Sequence, residues 1–282
     1  MKGFGGVYGF VGANSSAPLS AALQQRLRLA VAGALQRASR SVCSCNMHLL
    51  SFGPMGRKNK LKRFAEVASF PNVYEVDPAH ESFLSNQEGL SRDLRGGWAS
   101  AHFHNDHPVI LELACGKGDY TVALGSDHPL NNYIGVDIKG ARMWKGARTA
   151  LENDLTNVAF LRTRIEFIDR FFSLGEVSEI WITFPDPFEG KITRRLTSAP
   201  FLERYRNILK HGGIMHLKTD SWLLYEFTLE VIHSDPRCHV LYAHPDIYSD
   251  PLAFPELEHK TYYEIRHLGI GRTIKYIRFT IA

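Results

Sequence analysis

Between Val109 and Lys218 the chain repeats one pattern: a short apolar run, a polar or glycine-bearing break, then a stretch with helical periodicity. The runs are Val109–Leu113, Tyr133–Asp137, Val158–Leu161, Glu179–Phe184 and Ile214–Lys218, and a last one alternates from Thr273 to Ile281. Near-continuous apolar and β-branched runs are the mark of strands covered on both faces. Between them, Asp119–Ser126, Gly140–Glu152, Pro200–Lys210 and the stretch from Ser221 to about His233 have helical character, and His211-Gly212-Gly213 is expected to cap the third of these. Strand and helix in alternation predict an α/β fold, a Rossmann-like parallel sheet with helices on both faces. Such sheets bind ligands at the carboxyl ends of their strands. The strand-to-helix junctions therefore become the candidate site.

Charge divides the chain before the first of these strands. Residues 1 to 54 contain Lys2, Arg26, Arg28, Arg37 and Arg40 and no acid, so they carry +5 of a net +4, and the remainder is −1. An acid-free, Arg- and Ser-bearing leader has the composition of an organellar transit peptide. The reading adopted is an extension, disordered or outside the working protein, with Met55 as the working start. Arg57, Lys58, Lys60, Lys62 and Arg63 then form a basic arm suited to a phosphate backbone or to solubility. Residues 55 to 107 are read as this arm plus an irregular cap or linker, rich in Pro, Gly, His and Asn, and 108 to 282 as the main domain. Cysteines at 43, 45, 115 and 238 match neither a disulfide framework nor a zinc pattern and fit a reducing, cytoplasmic setting. His102, His104 and His107 are read as loop residues and no metal is expected. No apolar run is long enough for a membrane helix, and a monomer or homodimer is expected.

Three junctions carry chemistry. In Glu112-Leu-Ala-Cys-Gly-Lys-Gly118, Gly116 and Gly118 permit positive backbone angles and close ligand approach. Asp137 ends the second strand, where a carboxylate can accept from two ribose hydroxyls. Thr121 stands where a third glycine would complete a dinucleotide fingerprint, which favours an adenosine ligand without phosphates, such as S-adenosylmethionine, over a dinucleotide. Phe184-Pro185-Asp186-Pro187 pins one carboxylate between two prolines at a strand end, a recognition or catalytic candidate. Cys115 is read as a small packing residue.

In this order, Glu112-x-x-x-Gly116-x-Gly118, Tyr133-Ile-Gly-Val-Asp137, Phe184-Pro-Asp-Pro187 with Arg194-Arg195, Lys218-Thr-Asp220 and Thr261-Tyr-Tyr-Glu264 closely resemble bacterial tRNA (guanine-N7-)-methyltransferases. The resemblance covers about residues 55 to 282. It implies a seven-stranded methyltransferase sheet, S-adenosylmethionine as donor and a guanine of the tRNA variable loop as acceptor. By position it implies cofactor contacts at Glu112, Gly116, Gly118, Asp137, Arg164 and Asp186, with Asp186 also the catalytic carboxylate. It implies substrate contacts at Lys191, Asp220, Thr261, Tyr262, Tyr263 and Glu264. Arg164 stands where Asp or Asn is usual and cannot accept from an adenine amino group, so either the backbone or Glu166 would take that role or the adenine end would bind differently. Gly190 stands where a substrate-binding Lys is expected. The 57–63 arm, Arg194, Arg195, Arg204 and Arg206 are further tRNA candidates. A methyltransferase for a small molecule or protein, and a non-catalytic RNA-binding relative, are the competing readings.

Overall fold

The computed structural model describes residues 57–76, 83–87 and 91–282. The expectations for residues 1 to 54, with Cys43 and Cys45, lie outside the described residues. The basic arm is helix α1 (Arg57–Val67). Three short strands follow, β1 (Val73–Val76), β2 (Leu84–Ser85) and β3 (Ser91–Arg92). The main alternation is β4 (Val109–Leu113), α2 (Asp119–Asp127), β5 (Asn132–Asp137), α3 (Gly140–Glu152), β6 (Val158–Arg162), β7 (Val177–Thr183), α4 (Ala199–Arg206), β8 (Leu209–Thr219) and α5 (Trp222–Ser234). Strand β9 (Cys238–His244), helix α6 (Tyr262–Gly269) and strand β10 (Lys275–Ile281) close the fold.

The ten strands among the described residues join one sheet in the order β3-β2-β1-β6-β5-β4-β7-β8-β10-β9. The block from β6 to β9 holds the expected seven strands, so the correction is an addition. Strand β1 pairs parallel with β6, Val73 opposite Phe160, and β2 and β3 continue antiparallel. They cover what would otherwise be an open edge beside β6, a position that proteins rarely leave bare. Residues 71 to 107 were expected to be irregular because such short strands give almost no periodic signal.

The reversal of neighbours at β4 places β5 on one side and β7 on the other, both parallel to it. That is the topological switch point where a ligand crevice opens. Alternate side chains feed two cores. On one face Ile110, Tyr133 and Phe160 meet Leu124 of α2, Met143 and Ala147 of α3 and Val67 of α1. On the other, Leu111, Ile134 and Ile180 meet Phe201 and Leu202 of α4 and Leu224 of α5.

The His211-Gly212-Gly213 segment is corrected too. Helix α4 stops at Arg206, and the glycines lie within β8, where the pairing with β7 jumps from Val177–Leu209 to Glu179–Ile214. Gly212 has φ +71°, so it serves a bulge in the strand rather than a helix cap.

Candidate active site

The carboxyl ends of β4 to β8 surround one cleft of about 820 Å³. Gly116, Asp137, Arg164, Asp186, Asp220, Thr261, Tyr262 and Tyr263 all line it, although they come from positions spread over the whole alternation. Sheet topology alone gathers them.

The first wall is the loop after β4. Ala114, Gly116 and Gly118 have φ of +58°, +57° and +69°, three left-handed residues in five. Gly116 would bring an added Cβ near nothing closer than the Ala114 carbonyl at 3.9 Å, so its requirement is conformational and it leaves the cleft open. Gly118 is different. A Cβ there would lie 2.5 Å from the Phe160 ring and 3.3 Å from the Gly146 Cα, so its bareness lets α3 and β6 close against the loop. Asp137 ends β5 as expected. Its Oδ2 accepts from the Gly116 N–H at 3.0 Å and its Oδ1 from the Lys139 N–H at 2.8 Å. Each oxygen retains a lone pair for another donor. Ile138 beside it is 47% exposed and gives the cleft an apolar face.

Glu112 is placed behind this loop, outside the cleft lining. One carboxylate oxygen accepts from both the N–H (2.8 Å) and the hydroxyl of Thr121, in the first turn of α2. The other accepts from the Thr183 hydroxyl at 2.7 Å, at the end of β7. Burial raises its pKa from 4.5 to about 7 against those hydrogen bonds. Glu112 thus ties the helix that follows the glycine loop to the end of β7, from which the Asp186 loop departs. Thr183 gave no signal in the sequence, and Thr121 only that of a missing third glycine, since only the fold brings the two to one carboxylate. Cys115 is buried, and that burial, with Asp137 and Glu112 nearby, pushes its thiol well above the ordinary range. It is a packing residue.

The opposite wall follows β7. Phe184 and Phe188 flank Pro185-Asp186-Pro187 with φ of +49° and +42°, an arrangement costly for bulky residues. The Phe184 N–H donates to the Lys218 carbonyl at 2.8 Å, and the Phe188 N–H to Asp186 Oδ1 at 3.1 Å. Asp186 is exposed to the cleft. The loop is held from below by Arg195, whose Nε donates to the Pro187 carbonyl at 2.9 Å and whose guanidinium sits 4.4 Å from the Phe227 ring centre. Arg195 is 3% exposed, which corrects its assignment as a tRNA contact. Arg206 is also withdrawn. It bonds the Ala282 carbonyl and pairs with Glu203 and Asp235. Arg204 is bound to the Glu166 and Pro200 carbonyls. Lys191 is exposed outside the lining, whereas Arg194 belongs to it.

The third wall is the start of α6. Thr261 caps it, accepting from the Glu264 N–H at 3.2 Å. The Tyr262 N–H donates to Asp119 at 3.3 Å, and Lys117 of the glycine loop lies 3.4 Å from the Tyr262 ring centre. Glu264 corrects its expectation. It is 0% exposed and pairs at 2.8 Å with the equally buried Lys218, so in this structure it faces Lys218 and not the cleft. Tyr248 also donates to it at 2.6 Å, while Lys218 reaches the Leu257 and His259 carbonyls. Asp220 accepts from Arg272 and lies 3.4 Å from the His267 ring nitrogen.

Among the described residues, no group of His, Cys, Asp and Glu is placed to hold a metal ion. No helix among them is long and apolar enough to cross a membrane.

A family profile described as "Putative methyltransferase" matches residues 106–277. A tRNA (guanine-N(7)-)-methyltransferase of Christiangramia forsetii is 51% identical over 230 residues, 80% of this chain and 100% of that one. Another, of Bacteroides thetaiotaomicron, is 49% identical over 224 residues, 79% of this chain and 86% of that one. Among solved structures, the 16S rRNA methyltransferase KamB superposes with a TM-score of 0.51 at 15% identity, covering 68% of this chain and 96% of its own. A 30S ribosomal methyltransferase from an uncultured bacterium gives 0.50 at 16%, covering 68% and 97%. At such identities these two speak for the fold alone. The ordered motifs, the switch-point cleft and the near-half identity over most of the chain together make this protein a member of the tRNA (guanine-N(7)-)-methyltransferase family.

Proposed function

We propose that this chain transfers a methyl group from S-adenosylmethionine to N7 of a guanine in tRNA, the variable-loop guanine by family resemblance. The observation that carries the reading is the cleft itself, whose single lining joins a cradle for adenosine to an exposed, loop-pinned carboxylate.

The residues present fit the donor. Gly116 leaves the cleft floor open, Asp137 keeps acceptor capacity for two ribose hydroxyls, and Ile138 and Ile165 offer apolar faces for a purine. Arg164 and Glu166 lie on the same stretch of lining, and Glu166 rather than Arg164 can accept from an amino group. When bound, S-adenosylmethionine supplies a methyl group on a cationic sulfur, which a nitrogen lone pair can take without prior deprotonation.

Guanine N7 carries that lone pair and no proton, so the chain needs no general base. Its work is alignment and electrostatics. Asp186 accepts from the Watson–Crick edge of the guanine and steadies the positive charge that develops on the ring. Glu112 is a positioning residue, holding the glycine loop and the end of β7 at a fixed distance. Lys218 and Glu264 do the same for Thr261, Tyr262 and Tyr263. The base must be unstacked to enter such a cleft. One chain supplies the whole lining, which suits a monomer or a homodimer with independent sites, acting in the cytoplasm where tRNA is modified. The working unit is the arm and cap of 55–107 with the methyltransferase domain of 108–282.

The test is incubation with methyl-labelled S-adenosylmethionine and unmodified tRNA, followed by nucleoside mapping. N7-methylguanosine is the expected product. Any other methylated nucleoside, or none, overturns the reading.

A further inference from the structure

Among the described residues one imidazole lines the cleft, that of His267 on α6. It stands three residues after Glu264, and residues so spaced share a helix face. The burial of Glu264 against Lys218 therefore fixes the direction in which His267 points. Two loops meet its ring. The first presents Phe184, the left-handed residue that opens the Pro-Asp-Pro loop, with the two rings 6.0 Å apart and 17° from parallel. An offset stack of this kind holds both rings in place. The second presents Asp220, just past β8, whose Oδ2 lies 3.4 Å from Nδ1 of the imidazole.

Arg272 and His267 address the same oxygen of Asp220. Among the described residues no donor reaches Oδ1, which keeps its acceptor capacity for a ligand. The two partners supply different things. The Arg272 side chain is 55% exposed, and a long surface side chain gives charge without a fixed direction. His267 is 20% exposed, on a helix braced by a buried ion pair and with its ring against Phe184. Lys275 holds the backbone of the same carboxylate, its Nζ donating to the Asp220 carbonyl at 3.1 Å. Arg272 thus balances the charge of Asp220, and His267 sets its direction. Nδ1 is buried and makes no hydrogen bond at this distance. Leaving a buried nitrogen so is costly, and the ring is drawn toward the carboxylate.

We infer that His267 is a positioning residue for the whole methyl-acceptor side of the cleft. Through Asp220 it orients a carboxylate that holds the RNA, and through Phe184 it sets the loop that presents Asp186 to the guanine. The inference rests on the tRNA reading above and adds the side chain that keeps capture and methyl transfer in register.

The test is steady-state methylation of unmodified tRNA by the full chain, for wild type, His267→Phe, His267→Asn and His267→Ala. Calorimetry with S-adenosylmethionine on each protein reports folding and cofactor affinity. His267→Phe keeps a ring against Phe184 and loses the nitrogen facing Asp220. His267→Asn can place an amide nitrogen where Nδ1 stands and loses the ring. His267→Phe should raise KM for tRNA roughly ten-fold with kcat little changed. His267→Asn should lower kcat roughly ten-fold with KM little changed. His267→Ala should show both losses, and S-adenosylmethionine affinity should stay constant throughout. Absence of that split overturns the inference, whether the Phe and Asn variants lose KM and kcat alike, lose neither, or exchange the two effects. A fall in S-adenosylmethionine affinity in step with the tRNA kinetics also overturns it, in favour of a residue that merely supports the fold. Wild type that binds S-adenosylmethionine and forms no N7-methylguanosine overturns the proposed function and the role of His267 with it.

Discussion

The two sides of the cleft are built from different materials. Beside β4 and β5 the geometry is backbone: three left-handed residues, of which Ala114 and Gly116 line the cleft and Gly118 packs behind it, with a carboxylate held by the N–H groups of Gly116 and Lys139. Beside β7 and β8 it is side chain: Asp186, Asp220 and the Thr261–Tyr263 turn, kept in place by the buried Lys218–Glu264 pair and by Arg195 under the Pro-Asp-Pro loop. A backbone cradle is specified by the few positions where a side chain is forbidden. A side-chain wall is specified by partners that never touch the ligand.

Removing such a partner should have the largest effect. Glu264→Ala strands a buried ammonium and should cost about 3–5 kcal/mol of stability, measured by denaturant unfolding. A Lys218→Met/Glu264→Leu double variant should recover most of that loss. A Glu264→Ala protein as stable as wild type would show that the β8 side is not held in this way. Burial pulls Lys218 below its ordinary range, and Glu264 opposes that fall without cancelling it, so loss of Glu264 leaves the ammonium's burial uncompensated.

Next comes the group the wall presents. Asp186→Asn should cut turnover by roughly 10²–10³-fold, the scale of losing one oriented electrostatic contact. S-adenosylmethionine affinity, on the other wall, should hardly change in calorimetry. A parallel fall in both would erase the division between the two sides.

On the backbone side, Gly118→Ala tests whether bareness is what matters. The added methyl meets Phe160 and the residue keeps a positive φ, which together should cost about 1–3 kcal/mol in thermal unfolding. Weaker S-adenosylmethionine binding should accompany it, while tRNA affinity is retained.

The effect smallest at any one pH step joins the two walls. The pKa of Glu112 rises from 4.5 to about 7 on folding, so the folded state holds the proton more tightly. Its contribution to stability is complete below pH 4.5 and is lost as pH climbs toward and past 7, at no more than about 1.4 kcal/mol per pH unit. Subtracting the unfolding profile of Glu112→Gln from that of wild type should isolate this loss. A flat difference between pH 5 and 8 would mean that the carboxylate is ionised throughout.

What was legible in the sequence follows the same division. The glycine loop, Asp137 at a strand end and the Pro-Asp-Pro turn were readable because each depends on backbone angles fixed within a few residues. Thr261 lines the cleft as its motif suggests, whereas Glu264, three places on, was expected to face a substrate and is buried away from the cleft. Nothing local says that its side chain turns inward to Lys218. Arg195 and Arg206 failed for the same reason, since a basic residue looks alike in sequence whether it meets RNA, a carbonyl or a carboxylate.

The sequence by itself determined the alternation of strand and helix, the crevice at the switch point and the cradle within it. Periodicity and glycine conformation are local properties, and the parallel sheet follows from them. Only the tertiary structure decided which charged groups face the cleft and which brace it, and that β1 to β3 close the sheet edge. Those outcomes depend on burial and on partners distant in the chain, and desolvation, which no single residue type encodes, settles each of them.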